Sequence, residues 1–240
     1  MAKRKKGAPL PKSSKFYELL SDELKQEVPD GATITTLTRG QRETLNKHLH
    51  LRTIPITWGI PFDEILFAKF FTFFIRLNPM PWDNYATSES TYLPSARNEI
   101  HNNFIKLDSP YLMMLDSDVL CPPGMVDVLV AHDKHLVGGW YKNKAYQKKP
   151  HPIVYDFDSE TDTYNFMPRQ EPGTGLEKVD GMGAGCWLMS RELAVALGES
   201  PYDMEKGGED LVLSRKVMNL GYEMYVDWSL ACAHCGVSWV

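Results

Sequence analysis

At 240 residues with 43% hydrophobic content, the chain holds enough apolar material for one generous domain. Charged residues make up 24% and the net charge is −5, which argues against a nucleic-acid-binding body and for an ordinary soluble protein. Four cysteines in a chain this long make no disulfide framework, so a reducing, cytoplasmic setting is the simplest expectation.

Met1 to Lys15 reads MAKRKKGAPLPKSSK. It is basic, rich in Pro and Ser and without an apolar segment, so it is no secretory signal and suits a solvated, disordered tail. Weak contact with an anionic surface is the alternative. Phe16–Glu27 and Arg39–His50 suit short polar helices, split by the turn signal Pro29-Asp30-Gly31. Residues 1–50 therefore read as an N-terminal extension to a main domain over 51–240.

Ile54 to Trp58 looks like a strand ending at Gly59-Ile60-Pro61. The run Ile65–Leu77 (ILFAKFFTFFIRL) is shorter than the roughly 18–20 apolar residues of a membrane span and carries Lys69 and Arg76. It predicts a buried or partner-covered helix, with peripheral membrane contact as the alternative. Asp83–Ser88 suits a second short strand. Pro94-Ser95 opens a helix with Ser95 as its cap, in which Ala96, Ile100, Phe104 and Leu107 recur at helical spacing.

Tyr111 to Pro122 follows, YLMMLDSDVLCP. Its unbroken apolar run suits a strand buried on both faces. Asp116 and Asp118 stand at its end with Ser117 between them, and in extended chain two such side chains share one side. Beyond the carboxyl end of a strand, that pair suits a divalent cation completed by phosphate. Asp and Ser before Pro-Pro-Gly equally suit a plain turn.

A helix over Pro123–His132, an apolar run His135–Trp140 and a hairpin across Asp158–Asp162 come next. Strand and helix alternate, with a β insertion, which predicts an α/β sandwich of mixed sheet. Val179–Ser190 (VDGMGAGCWLMS) alternates Gly181, Gly183 and Gly185 ahead of a strand-like Cys186–Met189. Such glycines let backbone approach a ligand and leave amides free to donate, unless the segment is a flexible loop. Glu209-Asp210 open a helix that stops at Gly221; the helix dipole favours acids there and would hold a base ionised. In Cys232-Ala233-His234-Cys235, zinc would need four ligands, and Cys121 and Cys186 have no partner spacing. His234, after a strand-like Glu223–Val226, is a candidate metal ligand in its own right.

In this order, LPSARNEIHNNFIKLDSPYLMMLDSDVLCP, the glycine loop, the Glu-Asp helix start and the late histidine resemble the GT-A fold glycosyltransferases, above all family 2 of nucleotide-sugar transferases. The likeness spans Thr53 to Gly236. It implies an α/β/α sandwich with a mixed, mostly parallel sheet, and a metal-dependent transfer of a sugar, with inversion or, as the alternative, retention, from a nucleoside-diphosphate donor, UDP- or GDP-linked, to an acceptor hydroxyl. Asp118 would ligate Mn²⁺ or Mg²⁺, with Asp116 on the ribose or the metal shell, Ser117 beside them and His234 a further ligand. Arg97 would lie near base or phosphates, with Asn98 on the same helix. Thr57 and Trp58 would flank the base, and Gly183, Ala184 and Gly185 would line the sugar and acceptor site. Asp210 would be the base and Glu209 would bind sugar hydroxyls, or the reverse.

The first strand departs from the family in ending Trp58-Gly59-Ile60-Pro61, and no acidic residue marks the second. With little chain after His234, the acceptor would be met by a loop, the N-terminal extension or a second subunit, the last making a homo-oligomer. A nucleotidyltransferase is the first competitor, but Trp58–Glu64 lacks the basic glycine-rich loop a triphosphate needs. A non-catalytic carbohydrate-binding scaffold is the second, against which Asp116, Asp118, Asp210 and His234 all stand intact. No nucleic-acid partner and no membrane span are expected.

Overall fold

The computed structural model describes residues 54–61, 70, 73–77, 79–88, 90–143, 150–158, 166–204 and 208–235. The elements below all fall within the compact unit Pro55–Val240. The expected tail and helices within residues 1–50 lie outside the described residues, as does most of the aromatic run. Of that run, Phe70 is buried, Phe73 and Phe74 are half-buried, and a 3₁₀ turn covers Ile75–Leu77. Among the described residues no helix is long and apolar enough to cross a membrane.

In chain order the elements are β1 Ile56–Pro61, β2 Asn84–Ser88, α1 Leu93–Lys106, β3 Tyr111–Leu115, β4 Val119–Leu120, α2 Met125–Ala131 and β5 Leu136–Trp140. They continue with β6 Val154–Phe157, β7 Phe166–Pro168, β8 Leu176–Val179, β9 Gly181–Met182, β10 Cys186–Ser190, α3 Arg191–Leu197, α4 Glu209–Asn219, β11 Met224–Ala231 and β12 Ala233–His234. Among the described residues, seven strands form the main sheet in the order β2-β1-β3-β10-β5-β11-β8. The pairings of β1 with β2 and β3, and of β5 with β11, are parallel, whereas β10 and β8 run against their neighbours. This is the mixed, mostly parallel α/β sheet expected, with the hairpin β6–β7 and β9 forming a small side sheet.

The pattern of β3 explains the layering. Leu112 and Met114 pack with Ile100 and Phe104 of α1, Leu193 of α3 and Leu213 and Val217 of α4. Met113 and Leu115 point the other way, into a cluster with Met125, Val126 and Leu129 of α2. Both faces are covered, so alternation disappears from the sequence and an apolar run remains. Gly59 of β1 is needed because a Cβ there would stand 2.6 Å from Ile100 Cγ2 and 2.9 Å from Leu112 Cδ1.

Several boundaries differ from the sequence expectation. β1 begins two residues later and runs through Pro61, pinned at its start by Asp83, whose carboxylate accepts from the Ile56 amide (3.1 Å) and the Trp58 indole (2.8 Å). The cap of α1 is Tyr92, so Ser95 lies inside the helix and Pro94 occupies the first turn. Helix α3 and strand β8 were not expected. The former was legible, since Ser190 Oγ caps it by accepting from the Leu193 amide. Arg191 then reaches back to the carbonyls of Ile105 (2.9 Å) and Ser109 (3.0 Å), closing the end of α1.

Gly59→Val should cost about 1–3 kcal/mol by overpacking the α1–β1 contact, read from urea denaturation at unchanged slope. An unchanged midpoint would show that the contact can open without loss.

Candidate functional site

The Asp116-Ser117-Asp118 segment is a turn, closed by the Val119 amide donating to the Asp116 carbonyl at 3.1 Å. The premise of extended chain does not hold, because the backbone turns there before β4. Turn and site are nevertheless one object: Asp116, Ser117 and Asp118 line a cleft of about 200 Å³ together with Pro61, Ser90, Thr91 and Leu93. The two aspartates have separate partners.

Asp116 belongs to a buried ionic cluster. Arg97 of α1 is 2% exposed. Its Nη2 sits 2.9 and 3.0 Å from the two Asp116 oxygens, its Nη1 donates to the Ala184 carbonyl at 2.7 Å, and its Nε lies 3.4 Å from Glu209 Oε1. Burial by itself would lower the Arg97 pKa, but Asp116 and Glu209 outweigh it and the pKa is raised. The guanidinium thus joins the turn after β3, the loop before β10 and the start of α4.

Asp118 faces His234. Strand β12 pairs with β4 so that His234 lies opposite Val119, and the Cys235 amide donates to the Asp118 carbonyl at 2.7 Å. His234 Nδ1 lies 2.9 Å from the Lys142 carbonyl. A carbonyl only accepts, so Nδ1 carries the hydrogen and Nε2, 3.6 Å from Asp118 Oδ2, has its lone pair in the neutral form. Carboxylate and imidazole facing each other in this way are donors that suit Mn²⁺ better than Mg²⁺, which prefers oxygen. These residue types fit such an ion.

Asp210, half-buried at the start of α4, has its pKa pushed up to about 7, first by burial and then by the charge of Glu209, with Arg97 opposing. Its Oδ1 accepts from the Leu211 amide at 2.9 Å. Gly208 before it has φ +105°, a conformation that side-chain-bearing residues rarely adopt. The same carboxylate helps hold the hydroxyls of Tyr141 and Tyr155 protonated, behind the larger effect of burial.

Other expected contacts are redirected. The glycine loop is buried and its amides are spent on protein: Gly183 donates to the Ile153 carbonyl at 3.0 Å and Gly185 to the Tyr141 hydroxyl oxygen at 2.8 Å. A Cβ at Gly185 would lie 2.7 Å from both Asp116 Oδ2 and Tyr141 Oη. Gly183, Ala184 and Gly185 therefore support Asp116 and Arg97 from behind. Asn98 uses its amide on the backbone of Tyr202, donating to the carbonyl (2.8 Å) and accepting from the amide (2.9 Å), which leaves it a clamp on the segment leading to α4. Thr57 and Trp58 are fully buried mid-strand, with Trp58 stacked edge-on against Phe74. Because β1 extends further than expected, Pro61 and not these two reaches the cleft. Tyr141, Tyr202, Ser90 and Thr91 were missed; only long-range packing brings the tyrosines here, whereas Ser-Thr ahead of a helix start was a readable signal.

Two solved structures are similar to this one. A197 from STIV aligns with a TM-score of 0.58 and 18% identity, over 77% of this chain and 86% of that one. GalNAc-T7, crystallised with UDP, GalNAc and Mn²⁺, aligns with a TM-score of 0.49 and 14% identity, over 75% of this chain and 43% of that one. No family model and no curated sequence matches. The likeness to A197 establishes the α/β fold, and the chemistry has to come from the residues.

The raised pKa of Asp210 has a consequence for stability. Between its ordinary value of 3.8 and about 7, the unfolded chain releases a proton that the folded one keeps, so stability is full below that window and is lost as pH rises through it. Asp210→Asn should remove this loss. At pH 8 the variant should be more stable by about 2–4 kcal/mol, and at pH 3.5 the two proteins should match, as followed by urea denaturation. A difference independent of pH would contradict the assignment. Arg97→Met, leaving Asp116 and Glu209 unpaired in the interior, should cost about 3–5 kcal/mol in the same measurement.

Proposed function

We propose that this protein is a metal-dependent glycosyltransferase that moves a sugar from a nucleoside-diphosphate donor to an acceptor hydroxyl with inversion. One observation carries the reading: the β4–β12 pairing holds His234 Nε2 3.6 Å from Asp118 Oδ2, beside a cleft that Asp118 lines. An oriented imidazole and a carboxylate at the carboxyl end of a sheet strand form half of a cation shell, which a diphosphate can complete.

In this proposal Asp118 and His234 hold Mn²⁺ or Mg²⁺, which when bound neutralises the charge developing on the departing diphosphate. Asp116 keeps Arg97 charged and the turn in place, and Ser117 lies between the two carboxylates on the cleft wall. The donor is linked to UDP or GDP. Asp210 takes the proton of the acceptor hydroxyl. A carboxylate titrating near 7 is poised between accepting and releasing a proton at neutral pH, which supports that role. Glu209, with Arg97 Nε 3.4 Å from its Oε1, accepts from sugar hydroxyls. The reading places the protein in a reducing, cytoplasmic setting, which its free cysteines support.

Calorimetry against UDP, GDP, UTP and GTP with and without Mn²⁺ tests the binding half. A nucleoside diphosphate should bind only with Mn²⁺, and Asp118→Ala should weaken it at least tenfold. Tight, metal-indifferent triphosphate binding would point to a nucleotidyltransferase, and no nucleotide binding at all to a scaffold. Asp210→Asn should leave diphosphate affinity within about twofold and lower donor turnover by roughly 10²–10⁴-fold; loss of binding instead would remove it from the role of base.

A further inference from the structure

Behind the cleft, three of the four cysteines meet. Cys121 Sγ lies 3.0 Å from Cys186 Sγ, which lies 3.6 Å from Cys232 Sγ. All three sulfurs fall within 4.8 Å of one another. Their sequence positions are far apart, which is why spacing alone left Cys121 and Cys186 without partners. Cys121 is 1% exposed and Cys186 fully buried, while Cys232 is half-buried. The thioether of Met125 closes the group, its Sδ 3.4 Å from Cys186 and 3.9 Å from Cys232. Space for it is made by Gly139 of β5, where a Cβ would stand 2.6 Å from Met125 Cε and 3.2 Å from Cys232 Sγ.

We infer that Cys121, Cys186 and Cys232, with Met125 beside them, form a binding site for one thiophilic d¹⁰ cation of the zinc or copper(I) type. Donor chemistry excludes the hard ions proposed for the cleft: sulfur is the ligand throughout, and soft thiolate and thioether ligands select soft cations. Geometry agrees. Metal–sulfur bonds of about 2.3 Å put the sulfurs of a trigonal or tetrahedral shell roughly 3.8–4.0 Å apart, so small outward shifts suffice here. A disulfide, at about 2.05 Å, would use two of the three sulfurs and leave the third and the thioether unexplained. On binding, the thiols bond to the cation as thiolates and their protons leave to solvent.

Position gives the site a purpose. Cys121 follows β4, two residues after Val119, the partner of His234; Cys186 follows Gly185, which packs on Asp116; Cys232 precedes β12, which carries His234. A cation there ties together β4, β10 and the approach to β12, the segments that adjoin Asp118, Asp116 and His234.

The test uses the full chain, reduced and stripped of metal, titrated with Cd²⁺ as a spectroscopic probe. Thiolate–cadmium charge transfer absorbs in the ultraviolet, whereas cadmium on carboxylate or imidazole gives no such band. One equivalent should produce the band and raise the melting temperature, and Zn²⁺ or Cu⁺ should displace it, the stronger competitor naming the ion. Cys232→Ser should lose the band; Asp118→Ala should keep it, which separates this site from the cleft. Absence of a band in the native protein, or its survival in both Cys232→Ser and Cys186→Ala, would overturn the assignment. So would a thiol count two short before reduction and restored by it, the mark of a Cys121–Cys186 disulfide in the native protein.

Discussion

A guanidinium enclosed in the protein interior needs all its charge answered nearby, and Arg97 draws that answer from three places distant in sequence. Asp116 from the end of β3, the Ala184 carbonyl from the loop before β10 and Glu209 from the start of α4 converge on it. An unpaired charge at 2% exposure would be far costlier than the pairs that replace it, so these segments can move apart only together. The cleft geometry follows. Asp116 is held inward by Arg97, and the glycines at 183 and 185 are small because the Tyr141 hydroxyl and the Asp116 carboxylate occupy the space their side chains would need.

A different kind of restraint sets the other half of the cleft. Two-residue strands pair β4 with β12, and backbone hydrogen bonds bring Asp118 and His234 to face each other, with the Lys142 carbonyl fixing the imidazole tautomer. β11 leads into this pairing through a register shift between Val226 and Ala231 against β5. That irregularity lets one strand serve the main sheet and still deliver the chain to the turn after β3. One carboxylate is thus fixed by charge and the other by backbone pairing, so perturbing either need not disturb its neighbour. The three thiols lie behind the same junction, where β4, β10 and β12 come closest.

How far the sequence could be read varied with the range of the interaction. The apolar run of β3, the helical spacing of α1 and the alternating β6–β7 hairpin follow from periodicity, and their positions were correct to within a few residues. The cap of α1 was misplaced because Pro94 and Ser95 are both plausible first-turn residues, and only the backbone shows Tyr92 outside the helix. The glycine loop misled in a more instructive way. Alternate glycines do mark close approach, but to Tyr141 and Asp116 of the same chain, with both amides donating internally. Trp58 failed for a similar reason: Asp83 satisfies its indole from within the core, and β1 runs on to Pro61.

From the sequence alone came the layered α/β class, the order of the elements and the residue types that carry charge to one edge of the sheet, because local periodicity and turn chemistry are properties of neighbouring residues. Tertiary structure decided which of those residues meet. Arg97 could have faced a phosphate as readily as Asp116, Asp118 could have lain far from His234, and Cys121, Cys186 and Cys232 could have stayed apart. Those outcomes depend on which strands pair and which charges are buried together, and such contacts join positions too far apart in the chain for any local pattern to record them.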